Sequence, residues 1–347
     1  MTIKGLKISR QWRAPVVAAL LASLAVGTRA QDTADAGFQA YAQELAAKAR
    51  GAGVSEATVE RMTGNLAYVP RVIQLDRNQP GTSQTATPPA FTPYRLSHVD
   101  APRIARGRRV YQSLPDAGGF EARYGVPAQV VLAIWGAETD YGASKGGFDL
   151  ANALATLAYD GRRRALFAGE FVALLKMVDR GVPPEQLKGS WAGALGNPQF
   201  LPSTYLRLAR DGDGDGYADV WNSREDTLAS IAAYFRDAGW QRGVPWGVEA
   251  TLASDYDRAR MATKLDSPTC PRVHVRHSQW KTIGEWRAMG VVPQGKIGEN
   301  VLASLFEPDG AGKSAYLLTG NYRVILEYNC SNYYALSVGL LADEIAR

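Results

Sequence analysis

Cysteine is almost absent from this 347-residue chain, which holds only Cys270 and Cys330. Two cysteines exclude a disulfide-dense scaffold and leave one pairing to consider. In an exported protein that pair joins as a disulfide, worth up to ~4 kcal/mol for a loop of this length; the alternative is two buried free thiols. An apolar run of membrane-spanning length is lacking too. The stretch Ala14–Gly27 has about fourteen residues against the ~20 a bilayer requires. It follows Lys4, Lys7, Arg10 and Arg13 and precedes Thr28-Arg29-Ala30, so residues 1–30 read as a secretory signal peptide cut after Ala30. No cysteine lies near the cut, which argues against lipid attachment there. A basic excess is also missing from the remainder. Of the 39 Lys and Arg, five lie in that leader, which has no acidic residue, leaving 34 against 34 Asp and Glu. The sequence pI of about 9.1 therefore reports the leader and supports neither nucleic-acid binding nor a basic membrane patch. There are no internal repeats and no phosphate-binding loop.

What remains is large enough for two or three lobes and is mainly helical, in an α+β arrangement. From Asp35 to Asn65, Phe38, Tyr41, Leu45, Val59 and Met62 recur at helical spacings, interrupted by Gly51 and Gly53. The segment Asn78–Pro93, rich in Pro, Thr and Gln, reads as a long loop or linker. Helices are expected over Ala101–Ser113, from Pro127 onward, and over Ala151–Ala158, Arg164–Asp179 and Thr227–Ala238. Past Trp246 the texture turns to short strands, including Val273–His277 and Asn321–Tyr328, before a closing helix over Tyr334–Ile345. The expected division is a helical lobe with its linker over residues 31–100, a helical core over 101–245, and a small α/β lobe over 246–347.

The most informative residue is Glu138, at the end of the apolar run Val130–Gly142. On a helix Ile134 and Trp135 share its face, so the acid lies against greasy surface. Burial favours the protonated carboxyl, and a carboxylic acid that keeps its proton near neutral pH can protonate a leaving group. The small-residue loop Gly189–Phe200 supplies the hydroxyl of Ser190 and the amide of Gln199, with glycines that admit close backbone approach. Arg162, Arg163 and Arg164 form a cationic run suited to carboxylate or acetamido oxygens. Tyr328-Asn329-Cys330-Ser331-Asn332-Tyr333-Tyr334 concentrates the rings and amides with which proteins hold sugars. A second catalytic carboxylate is not evident: Asp140 falls on another helix face than Glu138, and Asp149 has no partner pattern.

Six motifs occur in a characteristic order: the Glu138 run, Leu154–Leu157 followed by Arg162-Arg163, the Gly-rich loop ending Pro198-Gln199-Phe200-Leu201-Pro202-Ser203, an Asp-Gly repeat, Ala233-Tyr234-Phe235, and Tyr328-Asn329. From about Phe38 to the C-terminus the chain thus resembles the lytic murein transglycosylase B family. The resemblance implies a lysozyme-like helical catalytic core over 101–245, completed by the C-terminal lobe. It implies that Glu138 is the single acid/base, that Ser190 hydrogen-bonds its carboxylate, and that Gln199 helps hold it and the substrate. Arg162, Arg163, Phe200, Tyr234, Tyr328, Asn329 and Tyr334 would line the glycan groove. Cys330 sits inside the Tyr-Asn motif, so a disulfide there would staple the groove wall.

The implied reaction cleaves the β-1,4 bond between N-acetylmuramic acid and N-acetylglucosamine, closing a 1,6-anhydro ring without consuming water. The alternatives are a hydrolytic muramidase and a non-catalytic glycan-binding protein on the same fold. Asp211, Asp213, Asp215 and the Tyr217 carbonyl match positions one, three, five and seven of an EF-hand calcium loop, with Gly216 at six. Asn222 stands at position twelve in place of the usual Glu; in the resembling family a later acid serves, and Asp226 aligns with it, with Glu225 as its neighbour. A structural calcium is thus expected, with no cofactor for catalysis. The expected setting is the periplasm, with peptidoglycan glycan strands as substrate and other cell-wall enzymes as the class of protein partner.

Overall fold

A computed structural model describes residues 36–79, 89–160, 162–261 and 270–347; the leader expected over 1–30 lies outside them. The chain divides into two compact units, one formed by residues up to Asn78 with Ala151–Val182, the other by Gln79–Leu150 with Pro183–Arg347. The division therefore differs from three consecutive lobes, because the first unit draws two helices from the middle of the chain.

In the first unit, helices over residues 36–51, Glu56–Thr63 and Pro70–Arg77 accompany Leu150–Asp160, which begins at the unit boundary, and Arg164–Asp179. Phe38, Tyr41, Leu45 and Val59 are buried as their spacing requires. The break falls at Gly53, whose φ of 83° suits glycine. Tyr159 gathers Phe38, Tyr41 and Tyr68 around its ring at centroid distances of 5.6 to 5.9 Å, an arrangement of edge and tilted contacts that adds to the buried area.

The second unit is built around the helix Ala128–Thr139, which Pro127 precedes. Val130, Val131, Leu132, Ala133, Ile134 and Trp135 are buried on all sides of it, so it is the core helix on which others pack rather than an amphipathic one. The helices Ala101–Gln112, Arg224–Asp237 and Asn332–Ala346 pack against it. Each large side chain they bury contributes about 1.5–3 kcal/mol. The helix Phe91–His98 begins inside the expected linker. Its opening N–H groups, those of Phe91 and Thr92, are taken by the Asp309 carboxylate at 2.7 and 3.2 Å, a cap supplied by a residue more than two hundred positions away and hence invisible to local reading.

Among the described residues, all strands lie in this second unit. The pair β1 (Phe148–Asp149) and β2 (Lys188–Gly189) forms an antiparallel ribbon. The strands β3 (Gly247–Leu252), β4 (Trp280–Thr282), β5 (Val291–Pro293), β6 (Leu302–Phe306) and β7 (Tyr316–Thr319) form an antiparallel sheet in the order β4-β6-β7-β3-β5. It has a core of its own around Tyr256, Ile283, Trp286, Val291, Leu305 and Leu317. Two expected strands are helical instead. Val273–His277 falls on a helical turn, Pro271–His274, because Pro271 occupies a first helical position where its missing N–H costs nothing. Asn321–Tyr328 lies in the helix Gly320–Tyr328, whose start Thr319 caps through the Asn321 N–H. That helix and the closing one return to the core around Ala128–Thr139, so the C-terminal segment supplies part of the central body.

Candidate active site

Glu138 is the penultimate residue of the central helix. The chain then turns through Asp140 and Tyr141, both at positive φ (53° and 60°). Asp140 tolerates the left-handed cap better than most non-glycine residues, and its N–H closes the helix on the Gly136 carbonyl. The turn fixes where the next loop runs. Thr139 Oγ1 donates to the Asn197 carbonyl at 3.2 Å, while Asn197 Nδ2 donates to Trp221 O and Thr227 Oγ1 at 3.3 and 3.1 Å. A Cβ at Gly146, where φ is 82°, would lie 2.2 Å from the Gly189 carbonyl oxygen, so only glycine allows the segment after Glu138 to press on the start of the Gly-rich loop.

Burial pushes the Glu138 carboxyl up from its ordinary 4.5 to about 7, opposed in part by the hydroxyl of Tyr334, which donates to Glu138 Oε1 at 2.5 Å. No second carboxylate contributes to that rise among the described residues. Asp140 is held by Arg106 Nε and Nη2 at 3.0 and 2.6 Å, and Asp149 lies on the ribbon opposite Lys188. The phenols of Tyr94, Tyr328 and Tyr334 are raised first by burial and then by the charge of Glu138, so all three lie within electrostatic reach of the carboxyl, and Tyr334 touches it. A half-buried acid in such surroundings can be protonated at neutral pH and become a base after giving up its proton.

Two neighbours expected to serve Glu138 bond elsewhere in this structure. Ser190 Oγ accepts the N–H of Ala194 at 3.0 Å, stabilising its own turn, and the side-chain hydrogen bond to Glu138 comes from Tyr334 in its place. Gln199, at φ 53°, donates its amide to the carbonyls of Lys145 and Gly196 at 3.3 and 2.9 Å, so it shapes the loop. Loop residues with small side chains satisfy their backbone groups locally, and a hydroxyl or amide among them serves that need first.

Phe200, Tyr234 and Tyr328 do meet. Ring centroids lie 5.9 Å apart for Phe200 and Tyr234, 6.1 Å for Phe200 and Tyr328, and 4.6 Å for Tyr234 and Tyr328. Tyr328 donates to Pro198 O at 2.6 Å and Tyr234 to Glu327 O at 2.8 Å, fixing the rings. Asn329 is the exposed residue ending the Tyr328 helix. Arg162 and Arg163 belong to the first unit, where both donate to the buried Asp76 carboxylate at 2.5 and 3.0 Å. Cys270 and Cys330 are joined as a disulfide, with Cα atoms 5.4 Å apart. Tyr94 escapes sequence reasoning because it directly follows the segment Asn78–Pro93 read as linker; the aromatic Phe91-Thr92-Pro93-Tyr94 after the Pro-Pro pair is the only local signal.

In the Asp-Gly loop, Asp211, Asp213 and the fully buried Asp226 bring carboxylate oxygens within 4.8 Å of one another. Asp226 also accepts the N–H groups of Gly212 and Asp219 at 2.7 and 2.6 Å. Glu225 is taken by Arg224 at 2.6 Å, which leaves Asp226 as the acid that completes the group. Asp215 turns to the Tyr217 N–H at 2.8 Å, and the Tyr217 hydroxyl donates to Gln186. Three like charges at this spacing, one of them buried, suit an oxygen-seeking divalent cation.

Residues 37–343 match the family described as Transglycosylase SLT domain. The chain is similar to membrane-bound lytic murein transglycosylase B of Escherichia coli, with 32% identity over 284 residues covering 79% of this chain and 74% of the relative. It is similar to the crystal structure of SltB3 from Pseudomonas aeruginosa in complex with NAG-anhNAM-pentapeptide, with TM-score 0.78 and 37% identity over 89% of this chain and 79% of that one. It is also similar to Escherichia coli Slt35 in complex with calcium, with TM-score 0.71 and 29% identity over 88% of this chain and 92% of that one.

Proposed function

From the premise that the chain belongs to the transglycosylase SLT domain family, and so is a lytic transglycosylase acting on peptidoglycan, we propose that Glu138 alone performs both proton transfers. It protonates the leaving oxygen of the β-1,4 bond between N-acetylmuramic acid and N-acetylglucosamine as the acetamido carbonyl of the substrate stabilises the charge developing at C1. The resulting carboxylate then takes the proton of the C6 hydroxyl, whose oxygen bonds to C1 and closes the 1,6-anhydro ring. Glu138 ends as it began, protonated.

The observation that carries this reading is a lone carboxyl held at about 7 by burial, with the nearest sequence candidate for a second acid, Asp140, already bound to Arg106. A hydrolase of the two-carboxylate kind needs a partner ~5–5.5 or ~6.5–9.5 Å away. The anhydro sugar in the SltB3 complex is the kind of product this route forms. Tyr334 holds the acid, and Tyr234 and Tyr328, which stay partly open beside the buried Phe200, offer apolar ring surface on which a sugar can stack. Arg162 and Arg163 are assigned to the groove only on family resemblance.

Asp211, Asp213 and Asp226 would hold a structural calcium that offsets their mutual repulsion and fixes the loop between Asp211 and the helix Arg224–Asp237. No step of the reaction depends on it. The leader-like residues 1–30 support export to the periplasm; among the described residues no helix is long and apolar enough to cross a membrane. The test is Glu138→Gln with intact peptidoglycan: a loss of turnover of about a hundredfold or more, with an unchanged circular dichroism spectrum and retained binding to sacculi, is expected. Undiminished turnover would overturn the assignment.

A further inference from the structure

The hydrogen bond that tunes Glu138 comes from Tyr334, the third residue of the closing helix Asn332–Ala346. The first turn of a helix lacks intrahelical partners for its N–H groups and frays unless something else holds it. Residues 329–331 join the Tyr328 helix to the Tyr334 helix, so the placement of both tyrosines passes through this three-residue connector. Ser331 caps the helix by accepting the Tyr334 N–H at 3.3 Å. The rest of the restraint comes from outside.

Two independent tethers arrive from residues 270–277. One is covalent, the disulfide from Cys270 to Cys330 in the middle of the connector. The other is polar and buried. Asn332 Nδ2 donates to the Val273 carbonyl at 3.0 Å, which turns Asn332 Oδ1 toward His277 Nε2 at 2.8 Å. That geometry assigns the proton to Nε2, leaving Nδ1 to accept from the Ser304 hydroxyl at 3.4 Å. The Tyr322 hydroxyl donates to the Asn332 carbonyl at 2.8 Å. His277 is only 3% exposed and lies against the rings of Phe306 and Tyr322 at 5.1 and 5.8 Å. His274, Arg276 and Arg323 are the titratable or charged groups that bear on it. Burial, with those neighbours, depresses the His277 imidazolium to about 4, so the ring is a neutral donor throughout the range in which Glu138 titrates.

We propose that His277 and Asn332, together with the Cys270–Cys330 disulfide, are positioning residues for the reaction: they hold the start of the closing helix so that the Tyr334 hydroxyl stays on Glu138. The side-chain hydrogen bond to Glu138 comes from Tyr334 and from none of them. Their effect is transmitted through one hydrogen bond, which favours the charged carboxyl, so loosening it raises the Glu138 pKa and moves the alkaline limb of activity to higher pH. The inference rests on Glu138 being the general acid, as read above.

The test compares full-length wild type, His277→Leu, His277→Gln and the Cys270→Ala/Cys330→Ala double variant. The readouts are the pH profile of kcat/KM on peptidoglycan between pH 5 and 9, kcat and KM at the optimum, and the melting temperature. Tyr334→Phe sets the reference limb. His277→Leu should move the limb upward, raising the apparent pKa by about 0.5, a threefold change in the ionisation constant, and lower kcat more than it raises KM. His277→Gln, which can still donate to Asn332, should return the limb to the wild-type position. The double cysteine variant should shift it in the same direction as His277→Leu, and it carries the test if the leucine variant does not fold. Variants that melt earlier with an unmoved limb, or a glutamine variant no better than leucine, would overturn the proposal. A limb that stays put even in Tyr334→Phe would instead sink the general-acid reading of Glu138.

Discussion

Glu138→Gln should make the protein more stable above neutral pH, and the pH dependence of that gain measures the burial on which catalysis depends. The carboxyl rises from its ordinary 4.5 to about 7 on folding, which at 1.36 kcal/mol per pH unit amounts to about 3 kcal/mol. Glu138 keeps part of its surface open to solvent, so this figure is a ceiling. The sign follows from linkage: a group whose folded pKa is raised contributes stability in full below its unfolded pKa and loses it as pH climbs through the folded value. Wild type should therefore match the variant near pH 4 and fall progressively behind between about 4.5 and 7, with a plateau above. The glutamine oxygen can still accept from the Tyr334 hydroxyl, so little else changes. For a chain of this size about 2 °C accompanies each kcal/mol, giving a gap of up to about 6 °C at pH 8.5. Thermal melts of both proteins from pH 4 to 9 read it directly. A gap independent of pH, or one that widens toward acid, would refute the burial argument.

Four further outcomes follow from the same geometry. Tyr334→Phe removes a hydrogen bond to a charged group, worth about 1.5–3 kcal/mol, and should raise the alkaline limb of kcat/KM by about one pH unit or more. Asp140→Asn should retain activity within about threefold and cost at most about 1 kcal/mol in stability, since its ion pair with Arg106 is partly exposed; a hundredfold loss would identify it as a second catalytic acid. Calcium should raise the melting temperature, with about 2.7 kcal/mol gained at a hundred times its Kd, and Asp226→Ala should abolish the response; a melt indifferent to calcium and chelator would remove the metal from the account. Replacing both Arg162 and Arg163 by Ala strands the 2%-exposed Asp76 and should cost about 3–5 kcal/mol in denaturant melts, whereas Asp76→Ala leaves two half-exposed arginines and should cost less.

Much of this arrangement was legible in the residues because local chemistry decided it. An apolar run with a single acid at its end dictated both the buried central helix and the shifted carboxyl. Gly53, at positive φ, ended the first helix where the glycines predicted a break. The misreadings occur where a distant partner settled the matter. Asp309 caps a helix that begins in an apparent linker; the helix after Thr319 is a different case, because a local cap on the Asn321 N–H overrode β-favouring residues that suggested a strand. Ser190 and Gln199 were assigned to Glu138 because polar side chains beside an active loop invite that role; the loop's own backbone claims them first. Tyr334 takes the place given to Ser190, and its reach to Glu138 spans 196 positions of sequence. The Asp-Gly loop announced its carboxylates through spacing, while the choice of Asp226 over Glu225 depended on which of the two found Arg224.

The central claim is that one glutamic acid serves twice and that the sugar's own C6 oxygen, not water, bonds to C1. Digesting peptidoglycan in water enriched in oxygen-18 and weighing the released muropeptides tests it most directly. Unlabelled products, each lighter by one water than the reducing sugar, are the predicted result. Incorporation of the heavy oxygen at the muramic acid ends would contradict it.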